Sequence, residues 1–153
     1  MAARNALLPG DTRAVLDRVP WATFTDPEVA HAGMTEAQAR EKFGDRVEVC
    51  SWSMERVDRA LTEADTVGFI KLIHQRDGAI LGVTIANERA GEMIHEWILA
   101  LDQGLKINDI VKSIHIYPTY SIASQQIAFH IWVAQLLAGA SGKIIKALTR
   151  LMR

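Results

Sequence analysis

Two apolar runs joined through Asp77-Gly78 constrain this chain most. Thr66–Ile73 and Ala79–Ile85 are rich in β-branched residues, and Asp-Gly between such runs signals a hairpin. Ala90, Met93, Ile94, Trp97, Ile98 and Leu101 follow at helical spacing, and Gly104 supplies a stop. That pattern predicts a helix over about 90–103.

The rest of the chain adds elements of both kinds. Val19–Thr25 reads as a strand, being extended and rich in aromatic and β-branched residues. Thr35-Glu36-Ala37-Gln38 is a capping box, which opens a helix over about 36–43 that stops at Gly44. Val47–Met54 alternates with period two and reads as a strand, and Arg56–Ala64 as a helical turn or loop. A short helix is expected at about 107–112, and a longer one from Pro118 to Leu137. The longer helix is apolar on several sides. Ile127, Ile131, Ala134 and Ala138 form one stripe, with Phe129, Trp132, Val133 and Leu136 elsewhere, so one small sheet does not suffice to cover it. Strands with helices between them, but no regular βαβ alternation, predict an α+β fold: a two-layer α/β sandwich with a mostly antiparallel sheet and flanking helices.

Composition excludes several functions. A formal charge of −1 gives no reason to expect nucleic acid. The segment 143–153 is the exception, with Lys143, Lys146, Arg150 and Arg153 and no acid. It reads as a basic amphipathic helix with a solvated face, and membrane-surface contact by residues 142–153 is the competing use. A single cysteine, Cys50, excludes a dithiol centre within the chain, and its alternating strand context predicts a buried, inert thiol. Met1–Leu7 is too short and polar for a signal peptide, so a cytoplasmic location is expected.

No constellation for catalysis or cofactor binding stands out. Glu92, His95 and Glu96 lie within one turn of a helix, where a solvated polar face is the expected reading and no metal is assigned. Ser121 and Ser124 lack the strand-turn-helix setting of a nucleophile. Gly78, Gly82 and Gly91 are too scattered for a dinucleotide loop, so this chain by itself is expected to bind neither FAD nor a nicotinamide cofactor.

Ordered short matches carry more information. They are Phe24-Thr25-x-Pro27-Glu28-x-Ala30-x-x-Gly33-x-Thr35-Glu36, Gly68-Phe69-x-Lys71, Ile80-Leu81-Gly82, Ala90-Gly91-Glu92 and the run Ile114-His115-Ile116-Tyr117-Pro118-Thr119-Tyr120-Ser121. In this order and spacing they resemble the C-terminal dimerisation domain of the FAD-dependent pyridine nucleotide-disulfide oxidoreductases. Glutathione reductase, lipoamide dehydrogenase and mercuric reductase belong to that family. The resemblance spans about residues 20–125; with the composition of the tail, the chain is expected to divide into a linker from an upstream FAD domain (1–19), the dimerisation domain (20–138) and a basic C-terminal helix (139–153).

The resemblance also implies a role. The domain would form a two-fold homodimer, and the FAD and NAD(P)H domains would lie upstream in a longer, enzymatically active chain. The loop at Pro118-Thr119 would cover the partner's flavin, with His115, Tyr117 and Pro118 lining that site. Tyr117, Tyr120, Phe129 and Trp132 would contribute to the dimer contact, with Trp132 as anchor. Tyr117–Pro118 is a candidate cis bond.

One departure matters. Most members carry a histidine before this proline and a glutamate a few positions on, and this pair moves protons in thiol-disulfide exchange. Tyr117 and Ile122 stand at those positions here. A tyrosine pKa of about 10 makes a poor base at pH 7. His115 is the nearest imidazole, and in an extended segment it would share a side with Tyr117. Mercuric reductases carry a tyrosine in this region, although the C-terminal cysteine pair of those enzymes is missing here. The rival reading is a non-enzymatic homodimeric interaction module of the same fold.

Overall fold

The computed structural model describes residues 2–10 and 19–139. Its elements are α1 (Ala2–Leu7), β1 (Trp21–Thr23), β2 (Glu28–Gly33), α2 (Glu36–Phe43), β3 (Val47–Ser53), α3 (Asp58–Thr62), β4 (Phe69–Gln75), β5 (Ile80–Asn87), α4 (Ala90–Asp102), α5 (Ile107–Lys112) and α6 (Ile122–Ala138). The expected basic helix over 142–152 and its membrane contact fall in 140–153, outside the described residues. Among the described residues no helix is long and apolar enough to cross a membrane.

The five strands form one antiparallel sheet in the order β1-β2-β5-β4-β3. Strand side chains alternate between two faces. Ala30, Ala32, Val83, Ile85, Ile70 and Leu72 point to one face, where Met93, Ile94, Trp97, Ile127 and Ile131 from α4 and α6 bury them in the main core. The opposite face carries Val47, Val49, Ile73 and Leu81, which α2 covers with Ala39 and Phe43. The architecture is thus the expected α+β sandwich.

Local chemistry explains most boundaries. The Thr35 hydroxyl accepts from the Gln38 N–H at 3.4 Å, and the Gln38 amide oxygen accepts from the Thr35 N–H at 2.9 Å. Thr35→Ala should therefore lower stability by about 1 kcal/mol and the melting temperature by roughly 3–5 °C, measured by thermal denaturation. An unchanged melting temperature would show that α2 does not need its cap. The β4–β5 turn is held by Asp77, which accepts from the Ala79 N–H and pairs with Lys106 at 2.8 Å. That lysine and the Ala79 N–H keep the Asp77 carboxyl below the usual carboxylate range.

The start of α4 is capped from a distance. Arg89 makes no side-chain cap, and instead Glu28 on β2 accepts from the Gly91 N–H at 2.9 Å. A carboxylate at a helix N-terminus also favours the helix dipole.

The structure adds two elements beyond those expected. Glu28–Gly33 is a strand that its small residues do not announce. Ala30 and Ala32 are 0% and 2% exposed, so small side chains there let α4 approach the sheet. Residues 2–7 form a short helix although the segment lacks apolar periodicity. Of the four tryptophans only Trp97 is fully buried, while Trp21 is 50% exposed.

Candidate functional site

After α5 the chain runs irregularly from Ser113 to Ser121 before α6 begins. The Tyr117–Pro118 bond is cis, and so is Asp26–Pro27. Ile114, Ile116 and Tyr117 are 97%, 80% and 63% exposed. A loop with two almost bare isoleucines presents apolar area that no part of the described chain covers.

Polar tethers hold the loop from behind. The Tyr117 hydroxyl donates to Asp58 on α3. The Gln125 amide on α6 donates to the Ser113 carbonyl at 2.7 Å. The Thr119 hydroxyl donates to the Ile116 carbonyl at 2.7 Å. His115 turns inward: Nε2 lies 2.7 Å from Glu96 Oε1 on α4, and Nδ1 lies 3.1 Å from the Ser113 carbonyl. This overturns the expectation that His115 and Tyr117 share a side. The segment is not a strand, so period-two geometry does not apply. Glu96 faces this loop histidine, away from the pairing with His95 and Glu92 that its sequence position suggests.

The chemistry of these residues follows from their settings. The Asp58 carboxylate beside its hydroxyl pushes the Tyr117 phenol up, so the ring stays a neutral hydrogen-bond donor at neutral pH. Ile122 is 7% exposed within the first turn of α6 and belongs to the core. Ser124 is fully buried, so it offers no nucleophile at the surface. Cys50 is half-buried where a buried thiol was expected, and that partial burial still pushes the thiol up and makes it a poor nucleophile.

Three of the four expected dimer residues lie near this surface or on α6 with area to spare. Phe129 is 52% exposed, its ring 5.7 Å from that of half-buried Trp132. Phe129, Val111, Gln125 and Gln126 line one shallow hollow, and Gln125 links it to the base of the loop. Tyr120 departs from expectation. It is 5% exposed, its hydroxyl donates to Asp65 at 3.1 Å, and Arg89 lies over its ring. Its area is spent in the chain's own core and little remains for a partner. Sequence reasoning missed Glu96, Asp58 and Gln125 as loop anchors, because nothing in their local pattern points to residues so far along the chain.

Comparisons with known proteins agree with this fold. The profile of the pyridine nucleotide-disulphide oxidoreductase dimerisation domain matches residues 19–127. A dihydrolipoyl dehydrogenase of Corynebacterium glutamicum is 37% identical over 135 residues, covering 86% of this chain and 29% of that protein. A mercuric reductase of Bacillus cereus is 36% identical over 120 residues, covering 78% of this chain and 19% of that one. Among solved structures, the HOCl-induced flavoprotein disulfide reductase RclA from Escherichia coli superposes with a TM-score of 0.75 at 28% identity, over 83% of this chain and 30% of that chain. The chain thus spans less than a third of the length of each of these relatives.

Proposed function

The chain belongs to the dimerisation-domain family of the pyridine nucleotide-disulphide oxidoreductases, and on that premise we propose that it joins two copies of a longer, NAD(P)H-linked flavoprotein. In that assembly the loop at Tyr117 and Pro118 covers the flavin of the partner subunit. The observation that carries this reading is the bare loop: Ile114, Ile116 and Tyr117 are 97%, 80% and 63% exposed, and Phe129 on α6 is also half exposed. An exposed apolar surface of this kind suits a second protein surface and the flat ring of a flavin. Tyr117 and Pro118 would line the flavin. His115, turned inward, would support the loop from behind.

FAD, when bound in the upstream part, supplies the electron transfer. This chain's residues would exclude water from the ring and hold the two subunits together. With Tyr117 kept neutral and Ile122 buried, neither residue is suited to carry a proton to or from a thiol. The electron acceptor is therefore one whose reduction does not depend on a histidine at position 117.

Two expected results test the reading. The purified chain should sediment as a homodimer at micromolar concentration, burying on the order of 1,200–2,000 Å² in total. A single species near 17.0 kDa would sink the claim. The same material should be colourless and show no stoichiometric binding of FAD or NAD(P)H by equilibrium dialysis. A yellow chromophore retained at one per chain would overturn that part.

A further inference from the structure

Among the described residues one histidine makes a hydrogen bond to a carboxylate, His115 to Glu96. Its position is informative. Ile114 and Ile116 on either side point into the open, 97% and 80% exposed, while the His115 side chain is 10% exposed. It is the one side chain of the 114–117 run that reaches into the domain. Both ring nitrogens face acceptors, the Glu96 carboxylate and the Ser113 carbonyl. With both ring nitrogens engaged inside the domain, the pair is built to hold the loop.

We propose that Glu96 and His115 are a positioning pair that fixes the 114–118 loop in the setting that presents Ile114, Ile116 and Tyr117 to a second copy of this chain. The use of the loop rests on the interface reading above, while the tether itself does not. Glu96 sits on α4, whose Met93, Ile94 and Trp97 are locked in the main core. The tether thus runs from a rigid helix to an otherwise irregular segment 19 residues away in the chain. The Gln125 contact holds only the base of the loop, at Ser113. The Tyr117–Asp58 contact lies at the exposed rim. Without the Glu96 carboxylate, a mostly buried ring N–H faces no acceptor, and the loop gains freedom to turn the ring toward water.

The test compares the intact chain with Glu96→Ala and Glu96→Gln. Glutamine keeps an oxygen acceptor for Nε2 and alanine keeps none. In Glu96→Ala, backbone 15N order parameters of Ile114, Ile116 and Tyr117 should fall from the rigid range near 0.85 to below about 0.6. The dimer dissociation constant should rise about tenfold to a hundredfold, as loss of a hydrogen bond to a charged group implies. Glu96→Gln should restore the order parameters and most of the affinity. Order parameters in Glu96→Ala equal to those of the intact chain would overturn the proposal, whatever the oligomeric state. A glutamine variant as mobile as the alanine one would also overturn it, as would a general loss of melting temperature in Glu96→Ala, which would assign the pair to the core. An intact chain found to be monomeric would defeat the interface reading alone, and the order parameters would still decide the tether.

Discussion

Gly82→Ala should abolish the folded state, while Gly44→Ala should leave it intact. Gly82 pairs with Gly33 across β2 and β5, and the Met34 N–H donates to the Leu81 carbonyl at 2.9 Å beside it. A Cβ at Gly82 would stand 2.0 Å from the Met34 carbonyl oxygen and 2.8 Å from its nitrogen. These are backbone atoms and have no rotamer to escape into. Relief requires β2 to leave β5, which separates β1 and β2 from the other three strands. We expect a loss above about 4 kcal/mol, a large part of the 5–15 kcal/mol that usually stabilises a domain. Gly44 has φ +58° but open space around its Cβ position. Its ψ of −133° puts it in a region that glycine favours, so alanine there costs on the order of 1–3 kcal/mol in backbone strain without a clash. Urea denaturation followed by circular dichroism distinguishes the two. Cooperative unfolding of Gly82→Ala within a few tenths of a molar of the wild-type midpoint would contradict the account of the β2–β5 approach.

Ile116→Asp should convert the dimer to monomer at micromolar concentration. The isoleucine is 80% exposed and touches little of its own chain, so the substitution should not lower the chain's own stability. In an interface the same position would have to bury a carboxylate without a partner. The dissociation constant should rise at least about a hundredfold, in the range of central interface positions. Phe129→Asp should act in the same direction, since its half-exposed ring packs with Trp132. Glu41→Lys, on α2 across the sheet, should change nothing. Sedimentation equilibrium reads all three. An Ile116→Asp chain that dimerises as well as the wild type would place the contact away from this loop.

Some elements were legible from local pattern because one short-range cause decides them. Ala90 to Leu101 forms a helix since its apolar residues fall on one side, and the burial of Met93, Ile94 and Trp97 follows the same stripe. Thr35 and Gln38 satisfy each other's backbone groups with no help from elsewhere. Asp77-Gly78 turns the chain between two β-rich runs. Helix α6 was legible as apolar on several sides. Its inner stripe, Ile127 and Ile131, is buried, whereas Ala134 and Ala138 of the same stripe are exposed near its end. The β2 strand was not legible. Its Ala-His-Ala-Gly composition is poor in strand formers, and it is a strand because β1 and β5 hydrogen-bond to both of its edges.

Sequence alone determined the family, the α+β class and the loop that carries Tyr117 and Pro118, since those depend on ordered local motifs. It also places a tyrosine at 117 and an isoleucine at 122. Only the tertiary structure decided which way each side chain of that loop turns. His115 faces Glu96, Tyr117 faces Asp58 and Tyr120 sinks toward Asp65, across separations of 19, 59 and 55 residues. In an irregular segment no backbone period assigns side chains to faces. Orientation is then set by whichever distant acceptor the folded chain brings within reach, and a one-dimensional pattern holds no record of that distance.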